Sequence, residues 1–324
     1  MRRMVLIFAA FCLCLPVVSQ ERDSLLTVFW NLENFFDWTD NGTGESDAEF
    51  SSYGKKHWTR KKFYTKCDMV SKAIFKIGES HARMPDVIGL AEIENKGVLQ
   101  KLLSSTLLRK CGYKIVHFDS RDRRGIDVAF LYREPLFELL STSLWTPEYN
   151  GEKLSTRDML HISLKSMNNG VIFDFIVCHH PSKFGGEKAS ENRRYAAMES
   201  LKHMCDSLSG RNLIVMGDFN DIPSAAQFGI LEGALVNKAY DLFEAHKGTI
   251  RYEGKWELID MFLVSPDMDS RTEMMIEEIP FLMVREGKHA GEKPHRTYSG
   301  PRYIGGVSDH LPVTLSFMPS GFPM

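Results

Sequence analysis

Leu213-Ile214-Val215-Met216-Gly217-Asp218-Phe219-Asn220-Asp221 sets four apolar residues in succession against a glycine, two acids and an amide. An unbroken apolar run of this length suits a strand buried on both faces. In α/β folds the polar residues closing such a strand are where ligand-binding groups gather. Alternation along the segment sends Asp218 and Asn220 to one side and Phe219 to the other, into the core.

Working outward, similar runs recur at Leu25–Leu32, Asp86–Ala91, Tyr113–Phe118, Ile126–Tyr132, Val171–Cys178, Leu258–Val264 and Pro312–Phe317. Two helices alternate with them. In the first, Phe63, Cys67, Val70, Ile74 and Ile77 share a face with lysines opposite, and in the second, starting near Ser190, Met198, Leu201, Cys205 and Leu208 do. Interleaved strands and helices imply sheets covered by outer helices, an α/β class. Neither a repeat nor a linker interrupts the pattern, so residues 21–324 read as a single domain. Segments 40–56, 184–191 and 286–306 read as surface loops around the strand ends, where specificity is set.

The 324-residue chain has a globular composition, which excludes disordered, collagen-like and coiled-coil classes. Its start differs from the rest. Arg2 and Arg3 precede an apolar run from Met4 to Val18, and Val17-Val18-Ser19 offers small residues for cleavage, the layout of a signal peptide over residues 1–20. The run is short for a membrane span and holds Pro16, so export to the periplasm or the exterior is expected, without stable membrane insertion after cleavage. Cys12 and Cys14 raise a lipoprotein alternative, ranked lower because Phe11 and Leu13 before them are large. Cleavage removes two arginines and moves the formal charge from −2 to −4, so no global attraction to nucleic acid exists, though a local basic cleft remains open. Cys67, Cys111, Cys178 and Cys205 remain, without metal-like spacing, and read as core thiols with one disulfide permitted.

Polar residues cluster where the apolar runs end: Asn31-Leu32-Glu33-Asn34, Glu92, His179-His180-Pro181-Ser182-Lys183, Asp218 to Asp221, Asp260, and Ser308-Asp309-His310. Carboxylates with an amide are hard oxygen ligands for Mg²⁺, Mn²⁺ or Ca²⁺ rather than Zn²⁺. A carboxylate can also take a proton from water, and histidines can protonate a leaving oxygen or stabilise charge on phosphate. Asp260 in an apolar strand needs a partner, since a lone buried carboxylate is costly. Basic residues nearby are Lys183, Arg193 and Arg194, with a further cluster at Arg121, Arg123 and Arg124. The bland reading of each is a solvated face; the functional one is phosphate contact.

The ordered set Trp30-Asn31-Leu32-Glu33-Asn34, Ala91-Glu92-Ile93-Glu94-Asn95, Gly125-Ile126-Asp127-Val128-Ala129, His179-His180-Pro181-Ser182, Gly217 to Asp221, Ile259-Asp260 and Ser308-Asp309-His310 resembles the endonuclease/exonuclease/phosphatase superfamily. The likeness runs from Thr27 to about Phe317. It implies a four-layered α/β sandwich, two mixed sheets packed face to face with outer helices. It also implies roles: Glu92 as principal metal ligand with Asn31 and Asp309 near it, and Asp218 as the residue that positions or deprotonates water. Asn220 orients that water and the phosphate, with Asn31, Lys183 and Arg193 as further substrate contacts. His310, held by Asp260, contacts the scissile phosphate, and His179 is the second histidine of deoxyribonuclease-like branches, with Asp127 as a weak candidate to hold it. Two departures stand out, Cys178 where Asn is frequent and His180 where an aromatic is. Strand alternation puts His179 and His180 on opposite faces, so one of them reaches the cleft.

The expected activity is hydrolysis of a phosphodiester with Mg²⁺, or Mn²⁺ or Ca²⁺, by a nuclease acting on DNA or RNA. A phosphatase or a sphingomyelin-type lipid phosphodiesterase is the alternative within the enzymes. A non-catalytic binding module of the same fold is the alternative outside them, disfavoured because the whole polar set is present. The partner expected is a phosphoester, and a monomer is favoured.

Overall fold

The computed structural model describes residues 24–42, 44–183 and 186–318. The expected signal peptide over residues 1–20, with its two cysteines, lies outside these residues, as does part of the predicted 184–191 loop.

Twelve strands form two six-stranded sheets. In chain order they are β1 Leu25–Phe35, β2 Val87–Ile93, β3 Tyr113–His117, β4 Asp127–Arg133, β5 Phe137–Trp145, β6 Met159–Ser166, β7 Ile172–His179, β8 Asn212–Asp218, β9 Val236–Asn237, β10 Asp260–Val264, β11 Thr272–Ile276 and β12 Val313–Phe317. The first sheet has the order β11-β12-β1-β2-β4-β3 and the second β9-β10-β8-β7-β6-β5. Each has one parallel pair at its centre, β1 with β2 and β7 with β8, and every other pairing is antiparallel.

Side chains alternate cleanly along the central strands. Val28, Trp30 and Leu32 of β1 and Ile88 and Leu90 of β2 face outward onto helix α1, Arg60–Ser80, through Phe63, Cys67, Val70, Ile74 and Ile77. Phe29, Val87, Ala91 and Phe130 face inward onto the second sheet, where the Phe130 and Phe175 rings lie 5.2 Å apart. The outer face of that sheet is covered by α3, Glu187–Ser207, through Met198, Leu201 and Cys205. Helix α2, Lys96–Ser105, joins α1 on the first sheet, its amino end capped by the Asn95 side chain, which accepts the Val98 N–H. This is the expected four-layered sandwich. The sheets approach so closely that a Cβ on Gly89 would lie 2.4 Å from Met216 Sδ.

The eight predicted strands all form, with ends shifted by a few residues. β5, β6, β9, β11 and α2 were not anticipated. The 286–306 segment differs from a bare loop, carrying two short hairpins, residues 283–285 with 292–294 and 298–299 with 302–303. The four cysteines are free thiols. Lys66 breaks the rule that the lysines of α1 face solvent: it is buried, with Nζ donating to Glu33 O at 2.7 Å and Thr297 Oγ1 at 3.0 Å.

Candidate functional site

The topology explains why distant residues meet. The carboxyl ends of the parallel pairs β1/β2 and β7/β8 lie at one end of the sandwich. The antiparallel neighbours β10 and β12 begin at that same end, which is where Asp260 and Asp309-His310 stand. Asp218 faces Asp260 across β8/β10 and His179 across β7/β8.

Asp218 is the centre of the cluster. Its Oδ2 accepts the Asn31 amide at 3.1 Å and lies 3.5 Å from His179 Nε2 and 3.9 Å from His310 Nε2. Its Oδ1 accepts the backbone N–H of Asn220 at 2.9 Å. Asn220 is placed by that turn rather than by strand alternation: the strand ends at Asp218, Asn220 has φ +52°, and its amide donates to His180 O at 3.0 Å. Phe219 is buried as expected.

Burial, and then the Asp260 charge beside it, push the Asp218 carboxyl up to about 7. His310 shows the opposite balance. Burial opposes its charge, yet Asp260, with Oδ2 2.8 Å from His310 Nδ1, outweighs burial and holds the imidazole well above its ordinary range. Burial, reinforced by Arg157 and Arg124, holds His179 well below that range. The site therefore sets a neutral and a charged imidazole on either side of one carboxyl.

Of the two adjacent histidines, His179 reaches the cluster. His180 points away, its ring edge-on to Phe219 at 5.0 Å, and burial with the Arg157 and Arg194 charges lowers it to about 3. Asp127 does not hold His179, whose Nδ1 is buried without a partner. Asp127 instead accepts the Ser120 N–H and lies 3.3 Å from His117 Nε2.

Glu92, at φ +61°, is half-buried and accepts the Asn34 N–H at 2.7 Å through Oε2. Asp309 pairs with Arg296 at 3.0 Å, and Arg296 also donates to Glu33 Oε1 at 3.0 Å. Burial and the nearby Asp309 charge raise Glu33 to about 7, against Lys66 and Arg296, while burial lowers Lys66 to about 8. Lys183 lies 3.4 Å from Asp221, and Arg194 donates to the same carboxylate at 3.1 Å. Arg193 faces solvent instead, since successive helical residues point about 100° apart.

The sequence reading missed the frame around these groups. Ser308 donates to Asn31 O at 2.6 Å and accepts the His310 N–H, and Trp30 Nε1 donates to His310 O at 2.9 Å. Arg157 donates to His180 O at 2.7 Å and to Asp122 at 3.0 Å. Only the placing of Trp30 and Ser308 inside motifs hinted at these roles.

The donors suit a hard divalent cation. Glu92 offers a partly exposed carboxylate at the end of β2 and Asp309 another before β12. Asp218, Asp260 and His310 also bring ligand atoms within 4.8 Å of one another, but His310, kept charged by Asp260, has no free lone pair for a metal. Carboxylate and amide oxygens of this kind favour Mg²⁺, Mn²⁺ or Ca²⁺.

The sequence profile described as Endonuclease/Exonuclease/phosphatase family matches residues 26–318. Solved structures share the fold. A protein of that family from Bacteroides thetaiotaomicron is 17% identical, covering 90% of this chain and 97% of its own, with TM-score 0.57. The human Nocturnin catalytic domain, bound to sulfate, is 16% identical over 91% of this chain and 94% of its own, at 0.55. A Bacteroides thetaiotaomicron mannosyl-6-phosphatase is 17% identical over 90% and 98%, at 0.56. Among curated protein sequences none matches this chain.

Proposed function

Because the chain belongs to the endonuclease/exonuclease/phosphatase family, whose members are divalent-metal-dependent phosphoester hydrolases, we propose that it is an exported phosphodiesterase of the nuclease kind that works with Mg²⁺. One observation carries this reading: Asp218 stands between a neutral His179 and a charged His310. A diester has a poor leaving group, so its cleavage needs a proton donor as well as a base.

In this scheme Asp218 takes the proton of the attacking water, which Asn220 and Asn31 help to orient. His310, kept charged by Asp260, donates a hydrogen bond to the phosphate oxygen on which charge builds. His179, neutral and with Nε2 3.5 Å from Asp218, accepts that proton from Asp218 and passes it to the leaving oxygen, so the proton lost by water is the one the leaving group gains. Glu92, with Asn31 and Asp309, would hold the metal, which when bound polarises the phosphate. Lys183 is the basic side chain best placed to meet the rest of the substrate, Arg193 being turned outward.

Export rests on the amino-terminal pattern alone, and residues 21–324 are taken as one domain. No helix among the described residues is long and apolar enough to cross a membrane. The phosphatase alternative draws on the likeness to a protein named as a mannosyl-6-phosphatase. The lipid alternative finds no support on the hairpins between residues 283 and 303, where no large apolar residue is exposed, and Tyr252 is the one such residue on the hairpin of residues 250–257.

The test is a panel of plasmid DNA, RNA, bis-p-nitrophenyl phosphate, a phosphomonoester and a sphingolipid with Mg²⁺, Mn²⁺ and Ca²⁺. Wild type is expected to cleave the diesters, and Asp218→Asn to lose roughly 10²–10⁴-fold in kcat. Cleavage of the monoester alone overturns the diester reading. An unchanged rate in Asp218→Asn overturns the catalytic assignment.

A further inference from the structure

A second acidic cluster lies one strand away from the catalytic end. It lines a pocket of about 180 Å³ where the loop after β1 folds over the ends of β2, β3 and β4. One wall carries Asp47 and Glu94, which are 1% and 6% exposed. Each uses a single oxygen to tie down the loop. Glu94 Oε2 accepts the Asp37 N–H at 2.6 Å, and Asp47 Oδ2 accepts that of Gly42. Their other oxygens, Glu94 Oε1 and Asp47 Oδ1, are buried and take no hydrogen bond from a donor elsewhere in the described residues; the two carboxyls meet each other.

The neighbouring acids are treated differently. Asp37 has Lys101 at 2.8 Å and Asp122 has Arg157 at 3.0 Å, whereas neither Asp47 nor Glu94 has a cationic partner among the described residues. The loop backbone closes directly over the pair: a Cβ on Gly42 would lie 3.2 Å from Asp47 Oδ2 and 3.5 Å from Glu94 Oε1. The far wall carries Asp119 and Asp127, and with His117, which does not line the pocket, they bring ligand atoms within 4.8 Å of one another. Two buried acids side by side with no basic partner are tolerated only if they share a proton or bind a cation, and a cation entering between them would displace that proton.

We propose that this pocket is a second cation site, apart from the phosphoester centre, which takes Ca²⁺ between Asp47 and Glu94 and fastens the 36–47 loop to the end of β2. Ca²⁺ fits because the donors are hard oxygens carried partly by an irregular loop, and it accepts six to eight such ligands in loose geometry. Mg²⁺ demands a tighter octahedron. Arg157 separates the two sites, bonding Asp122 on the pocket wall with one nitrogen and His180 O on the catalytic side with another.

The experiment uses the whole mature protein, stripped with chelator, in calcium titration calorimetry and in thermal unfolding with Ca²⁺, Mg²⁺ or Zn²⁺. Wild type should bind Ca²⁺ and gain several degrees in Tm at 100-fold excess over Kd, as mass action requires. Because the catalytic end can itself take Ca²⁺, the comparison is made in the Glu92→Gln background: Glu92→Gln alone should keep a Ca²⁺ shift, and adding Asp47→Asn with Glu94→Gln should weaken Ca²⁺ binding at least tenfold. Terbium emission displaced by Ca²⁺ from Glu92→Gln protein reads the site should the combined variant fail to fold. Four results each overturn the proposal: no Ca²⁺ response at millimolar concentration, a shift that survives the added Asp47→Asn and Glu94→Gln, a shift abolished by Glu92→Gln alone, or a response to Zn²⁺ alone.

Discussion

At the scale of single residues, the site is a set of buried charges whose states are fixed by their neighbours. His310 owes its charge to Asp260, the one group in hydrogen-bond contact with its Nδ1. Asp260→Asn should therefore let His310 titrate near or below its ordinary range, read by NMR of the metal-free protein, and lower kcat by roughly 10–100-fold, as loss of an orienting partner does. His180 makes a separate prediction, about stability. Its folded value is about 3 against an ordinary 6.5, so below pH 6.5 the unfolded chain holds a proton that the folded chain refuses. Stability then falls as pH drops from 6.5 towards 3, by about 1.4 kcal/mol per pH unit for this one proton. His180→Phe, which keeps a ring against Phe219, should remove that slope in urea unfolding at pH 4 to 7; an equal slope would mean the histidine is hydrated. The acids and histidines of the site were legible in the sequence because strand ends announce them. Arg157, Arg296 and Lys66 were not, since an isolated basic residue reads as solvated until its buried partners are known.

At the scale of elements, geometry rests on the pairing of β7 with β8. Gly217 lies directly beside Cys178, and a Cβ there would sit 2.4 Å from the Cys178 carbonyl oxygen. That oxygen is backbone and cannot rotate away. Gly217→Ala should thus spread the strands, costing about 1–3 kcal/mol by analogy with overpacking. Because Asp218 and His179 are the next pair along, kcat should fall more than the stability change alone explains; normal Tm and kcat would show that the register tolerates the methyl group. The long apolar strands were readable from their period. β5 was not: Phe137–Trp145 is an edge strand exposed along most of its length, so no burial pattern marks it. Buried at six successive positions, Met159 to Leu164 in β6 offers no alternation either, though its pairing with β7 is regular and that with β5 is interrupted only by a register shift between Leu139 and Ser141.

At the scale of the whole molecule, the two sheets share one plan, a parallel pair flanked by antiparallel strands, and the site takes about half its groups from each. This plan was visible only through the resemblance, since strand order depends on pairings between segments far apart in the chain. The chain builds β1 to β4, then the entire second sheet, and only then returns with β11 and β12 to complete the first. β1 sits at the centre of its sheet, yet its partner β12 is almost the last segment to be made. During synthesis the apolar edge of β1 therefore stays open until about 280 residues have followed it, and open strand edges invite wrong pairing. A chain ending at residue 271 should collect as inactive aggregates, lacking both that partner and Asp309-His310, and size-exclusion chromatography with an activity assay would show it. A soluble monomeric fragment would contradict this. A hydrolase assembled in this order has no active precursor: hydrolysis waits until β12 and the Asp309-His310 segment before it have closed the first sheet.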